Sequence, residues 1–118
     1  MNFKEGLQRI ANQIDDFIGI ALVDSDGILV EEYKKDDLFD LTPLVAEYSA
    51  FLKVADKASI SSDVGPSHEM TVLAEKATII INKMAGGYFL CLVTQSPKNV
   101  GKGRFYMKRE AALIAADL

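Results

Sequence analysis

The apolar positions of this chain change period along its length, and each change marks an element. Phe3, Leu7, Ile10 and Ile14 recur at helical spacing and form one stripe of an amphipathic helix. Asn2 and Glu5 precede it at capping-box spacing, and Asp15-Asp16 closes it. Two apolar runs follow, Phe17–Val23 and Ile28–Tyr33, on either side of Asp24-Ser25-Asp26-Gly27. Asp and Ser side chains bond turn backbone, and Gly27 accepts positive φ without a Cβ clash, so the unit reads as an antiparallel hairpin. Lys34-Lys35-Asp36-Asp37 is then a charged loop.

A second helix starts near Asp40 or Thr42, with Pro43 at the first helical position, where its missing N–H costs nothing. Leu41, Leu44, Val45, Tyr48, Leu52 and Ala55 make its main stripe. A further set, Phe51, Val54 and Ala58 with Ala50 beside it, is expected to one side of that stripe. A surface helix ordinarily carries a single apolar stripe, so this one is expected to bury a sheet-facing side and part of another. Ser61–Ser67 is a loop by composition. Strands are predicted at His68–Ala74, Ala77–Met84 and Tyr88–Gln95, turning at Glu75-Lys76 and Gly86-Gly87. The near-continuous apolar run Tyr88–Val93 suits a central strand covered on both faces. Ser96-Pro97-Lys98 breaks it, and Asn99 is placed to cap a last helix running through Ala116. The order αββαβββα predicts an α+β fold, a five-stranded antiparallel sheet sandwiched by helices, as a single domain over residues 1–118.

Composition narrows the function. The chain has 118 residues, 49% hydrophobic and 25% charged, the balance of a soluble globular protein. No apolar run approaches the roughly 20 residues of a membrane span, and the N-terminus lacks signal-peptide features, so a cytoplasmic protein without membrane insertion is expected. A net charge of −4 disfavours nucleic acid. Acidic residues gather at Glu31, Glu32, Asp36, Asp37 and Asp40, and basic ones at Lys98, Lys102, Arg104, Lys108 and Arg109. They are either two solvated faces or a bipolar surface that orients a charged partner.

No catalytic, cofactor or metal set emerges. Asp24–Gly27 lacks the later Gly and Glu of a calcium loop. Gly101-Lys102-Gly103 has Gly103 where a phosphate loop needs Ser or Thr. His68 and Cys91 are the sole residues of their kinds and lie far apart in sequence. His68 is flanked by Ser67 and Glu69, which a strand points the other way. Cys91 sits in an apolar run and reads as a buried strand thiol. Asp15-Asp16 and Asp36-Asp37 have the composition of exposed loops.

Gly19 opening the first strand, Asp24–Gly27, Gly86-Gly87-Tyr88-Phe89-Leu90, and Asn99-Val100-Gly101-Lys102-Gly103-Arg104 together resemble the Roadblock/dynein light chain family. The likeness spans nearly the whole chain and is greatest to small prokaryotic members of the MglB type. It implies a non-enzymatic homodimer in which the second helix and third strand meet their counterparts. Ala50, Phe51, Val54, Ala58, Met70, Val72 and Ala74 would then form the interface. It also implies a small Ras-like GTPase as partner, whose hydrolysis MglB-type proteins stimulate, and no cofactor. Some relatives continue beyond the last helix, whereas this chain stops at Leu118, so binding is implied more directly than activation. Arg104 matches a structural position of the family rather than an arginine finger. Glu47, Lys53 and Lys57, on the exposed shoulder of the second helix, are the expected partner contacts. Two other readings are a small-molecule sensory domain and a cytoskeletal or motor adaptor. The first would need converging polar groups, whereas Thr71, Thr78, Asn82 and Thr94 are scattered.

Overall fold

The computed structural model describes residues 2–118. They run as α1 (Phe3–Ala11), β1 (Phe17–Val23), β2 (Leu29–Lys34), α2 (Leu41–Ser61), β3 (Glu69–Leu73), β4 (Thr78–Lys83), β5 (Phe89–Thr94) and α3 (Val100–Ala115). The strands form one antiparallel sheet in the order β2-β1-β5-β4-β3. The apolar β5 is therefore the middle strand, and all six of its residues are buried.

Register decides which layer each residue joins. Ile20 pairs with Leu92, which pairs with Ile80, so all three point to one face. There they pack with Leu7 and Ile10 of α1 and Met107 and Ile114 of α3. The alternate residues Ala21, Cys91 and Ile81 face Leu41, Val45 and Leu52 of α2. Two helices on one face and one on the other make the three layers that the element order predicts.

Asn2 caps α1, its side-chain oxygen accepting from the amides of Lys4 and Glu5. The helix ends at Ala11, one turn before Asp15-Asp16, and Ile14 completes the apolar stripe from a turn while remaining buried. Asp16 is not an exposed loop acid. It is buried, its carboxylate accepting from the Ser96 amide at 3.0 Å and hydroxyl at 2.8 Å.

Asn99 also departs from expectation. It precedes α3 but makes no side-chain cap bond. Its amide instead donates to Asp15 at 2.8 Å and Asp16 at 2.7 Å, tying the α1–β1 joint to the β5–α3 joint. A 3₁₀ turn over Pro97–Asn99 runs directly into α3, so Asn99 lacks the extended backbone of a cap residue and its side-chain NH₂ is held by the two carboxylates, which are strong charged acceptors. Those bonds lower the carboxyl pKa of Asp15, helped by Lys98. At Asp16 burial opposes the shift, but bonds from Asn99 and Ser96 outweigh it and the pKa falls. Asn99→Ala is expected to cost about 1–2 kcal/mol. Asn99→Asp, an equally good cap, is expected to cost more because it sets a third carboxylate against two. Thermal unfolding of both variants checks this; if Asn99→Asp is as stable as the parent, the residue acts as a cap.

Candidate functional site

Asp40 caps α2, its carboxylate accepting from the Thr42 amide at 3.0 Å. From there the helix presents two apolar faces. Leu41, Val45 and Leu52 are buried against the sheet, together with Ser49. Phe51 remains 59% exposed and Val54 66%, with Ala50 and Ala58 exposed beside them. At 3.6 residues per turn Val54 stands opposite the Val45–Leu52 face, while Phe51 and Ala58 lie to one side of the main stripe as expected, the Phe51 ring 5.7 Å from that of Tyr48. A helix that buries one apolar face and exposes a second is expected to have that second face covered.

Residues 47, 51, 54 and 58 follow one another along this outer face. Glu47 therefore stands within the apolar line, and with Ala50, Phe51 and Val54 it walls a shallow hollow of about 170 Å³. Lys53 and Lys57 are exposed one turn apart on the flank. The expected partner trio is thus split: the two lysines share a flank, and Glu47 belongs to the outer apolar face.

On the same side of the sheet, β3 is an edge strand bonded only to β4. Its Met70 and Val72 are half-buried and pack on the α2-side core. Ala74 lies just past the strand end, where its amide closes the turn onto the Ala77 carbonyl at 2.9 Å. On the opposite face of β3, Glu69 accepts two bonds from the Arg104 guanidinium, at 2.8 and 2.9 Å, and pairs with Lys108 at 3.2 Å. Arg104 is thereby committed to holding α3 on the sheet edge. Most of the basic residues of this region are engaged in the same way: Lys98 pairs with Asp15 and Arg109 with Glu110. The basic half of the bipolar pattern is thus largely neutralised within the chain.

The Arg104 bond and, after an opposing burial effect, that of Lys108 hold the Glu69 carboxyl at about 2, against an ordinary 4.5. The folded chain therefore binds this proton less readily than the unfolded chain does. The resulting stability is present above pH 4.5 and is lost as pH falls toward 2. Glu69→Gln is expected to flatten this acid limb in denaturant titrations at successive pH values, while Asp15, Asp16 and Asp56, also lowered, retain part of it.

Reactive chemistry is sparse. Among the described residues no group of three or more His, Cys, Asp or Glu is placed to hold a metal ion. Burial pushes the Cys91 thiol up to about 12, which leaves it a protonated core residue. Asp24 accepts from the amides of Asp26 and Ile28 and so closes the hairpin turn. No helix among the described residues is long and apolar enough to cross a membrane.

One feature was not legible in the sequence. Ser25, Ser49, Leu52, Lys53, Asp56, Lys83, Gly87 and Phe89 enclose a half-open cavity of about 210 Å³. Its polar groups come from α2, two turns and the end of β4; Thr71, Thr78, Asn82 and Thr94 contribute none. Lys83 donates to Asp56 at 2.5 Å, and Asp56 also accepts from the Ser67 amide at 3.0 Å and from the Ser67 hydroxyl. The Asp56 pKa is lowered because the bonds from Lys83 and Ser67 outweigh an opposing burial effect that is the largest single influence.

No protein-family model and no curated protein matches the sequence. Solved structures do match. MglC of Myxococcus xanthus is 28% identical across 100% of both chains, with a TM-score of 0.69. The gliding protein MglB of Thermus thermophilus superposes with a TM-score of 0.84 at 15% identity, covering 96% of this chain and 85% of that one. A Roadblock domain of Streptomyces avermitilis gives 0.83 at 13% identity, over 93% of this chain and 92% of the other. The chain has the Roadblock fold and is similar to small prokaryotic proteins that share it.

Proposed function

We propose that this protein is a non-enzymatic, homodimeric regulator or scaffold that binds a small Ras-like GTPase. The outer apolar face of α2 carries the reading, since an exposed stripe opposite a buried one needs a cover. A second copy of the chain is the occupant proposed. The same side of the sheet ends in the unpaired edge of β3, and pairing edge to edge would remove both liabilities at once. The interface would comprise Ala50, Phe51, Val54, Ala58, Met70, Val72 and Ala74. The Roadblock fold, together with the full-length likeness to MglC, supports this placement.

A two-fold dimer presents each α2 flank twice, and one GTPase across the paired helices would be shared by two protomers. Lys53 and Lys57 are the proposed contacts, with Glu47 nearer the axis. The protein would act by holding the GTPase in one of its conformations, a population shift that requires differential affinity. Titration calorimetry against the GTPase recovered with the protein, in its GDP and GTP-analogue forms, tests this. One nucleotide state is expected to bind at least tenfold tighter; equal affinities would remove the regulator and leave a passive scaffold. Lys53→Glu with Lys57→Glu is expected to slow association about tenfold at low salt, and less at high salt.

A further inference from the structure

The cavity beneath Lys53 has the make-up of a small-ligand site. Its walls are two hairpin turns pressed against α2. A Cβ on Gly27 would stand 2.9 Å from the Ser49 hydroxyl, and one on Gly87 would stand 2.8 Å from the Ser25 Cβ. Both glycines have φ near +80°, so close approach and backbone conformation each select glycine there. The walls are thus held by backbone, and the cavity is a built feature of the fold.

Its floor is apolar: Leu52 and Phe89 are 5% and 2% exposed. Ser49 lines it, and its hydroxyl lies against the Gly27 turn and keeps some accessible surface rather than being sealed in. Lys83 is neutralised by Asp56, whereas no described carboxylate pairs with Lys53 on the rim. One positive charge therefore stands uncompensated beside two hydroxyls and an apolar floor. A dry cavity of about 150 Å³ holds benzene, so about 210 Å³ has room for a ring of that size with a small head group.

We propose that this cavity binds a small monocarboxylate, its body on Leu52 and Phe89 and its anionic head between Lys53 and the hydroxyls of Ser25 and Ser49. The site goes beyond the protein-partner reading and stands without it. Benzoate is the probe, with benzyl alcohol as its neutral counterpart and benzylamine as its cationic one, followed in amide correlation spectra of the isotopically labelled chain without any GTPase. Benzoate is expected to give saturable shifts at Ser25, Ser49, Lys53 and Gly87, at least tenfold tighter than either counterpart. Lys53 is exposed, so Lys53→Met is expected to leave the fold intact. It is expected to weaken benzoate about tenfold and leave benzyl alcohol unchanged. Absence of saturable benzoate shifts at tens of millimolar, equal binding of benzylamine, or unchanged benzoate affinity in Lys53→Met would each overturn the proposal.

Discussion

Replacing Val54 with Asp is expected to turn a dimer into a monomer in light scattering at micromolar concentration. Val54 is 66% exposed within one chain, and a surface substitution of that kind ordinarily moves stability by no more than about 0.5 kcal/mol. If the outer face of α2 is instead buried against a second copy, the new carboxylate is desolvated without a partner. That costs on the order of 3–5 kcal/mol, roughly a hundredfold to several thousandfold in dimer dissociation constant. The variant monomer should keep the circular dichroism of the parent, because the inner face, Leu41, Val45 and Leu52, is untouched. A parent chain that already runs as a monomer at micromolar concentration would remove the dimer altogether.

Arg9→Ala is expected to produce the larger loss of folding stability. Glu110 on α3 is 1% exposed, and Arg9 of α1 bonds both its carboxylate oxygens at 2.8 to 3.1 Å. Arg109 stands farther off, at 3.5 Å. Removing Arg9 leaves a carboxylate buried with one distant partner, and breaking a buried pair from one side typically costs about 3–5 kcal/mol. The Arg9 side chain is 45% exposed and Arg109 remains, so about 2–3 kcal/mol is expected here. That corresponds to a fall in Tm of roughly 10 °C for a chain of this size. Arg9→Leu with Glu110→Leu is expected to recover most of the loss, because an apolar pair carries no desolvation penalty. Denaturant unfolding of the single and double variants decides it; equal losses would mean that the ion pair does not hold α1 on α3.

Local signals were sufficient wherever one element answers to its own period. The β1–β2 hairpin, the buried β5 and the start of α2 follow from alternation, turn residues and a cap, all within a few positions of one another. The second apolar set of α2 was also legible, although that Val54 stands across the helix from the buried face, with Phe51 beside the main stripe, came only with the register of that face.

What the sequence by itself determined is the element order, the three-layer architecture and the existence of an apolar face on α2 that the chain does not cover. Each follows from periodicity, which is a short-range property. Tertiary structure alone decided the rest. It turned Asn99 from a cap into a clamp on Asp15 and Asp16, committed Arg104 to Glu69 across 35 positions, and buried Asp16. It also assembled the cavity from Ser25, Ser49, Lys53 and Lys83. Those side chains are polar residues of turns, helix flanks and strand ends, where no hydrophobic pattern constrains them. Their partners are set by which loops the sheet order brings to the same end of the molecule, and that is known only once the strands have paired.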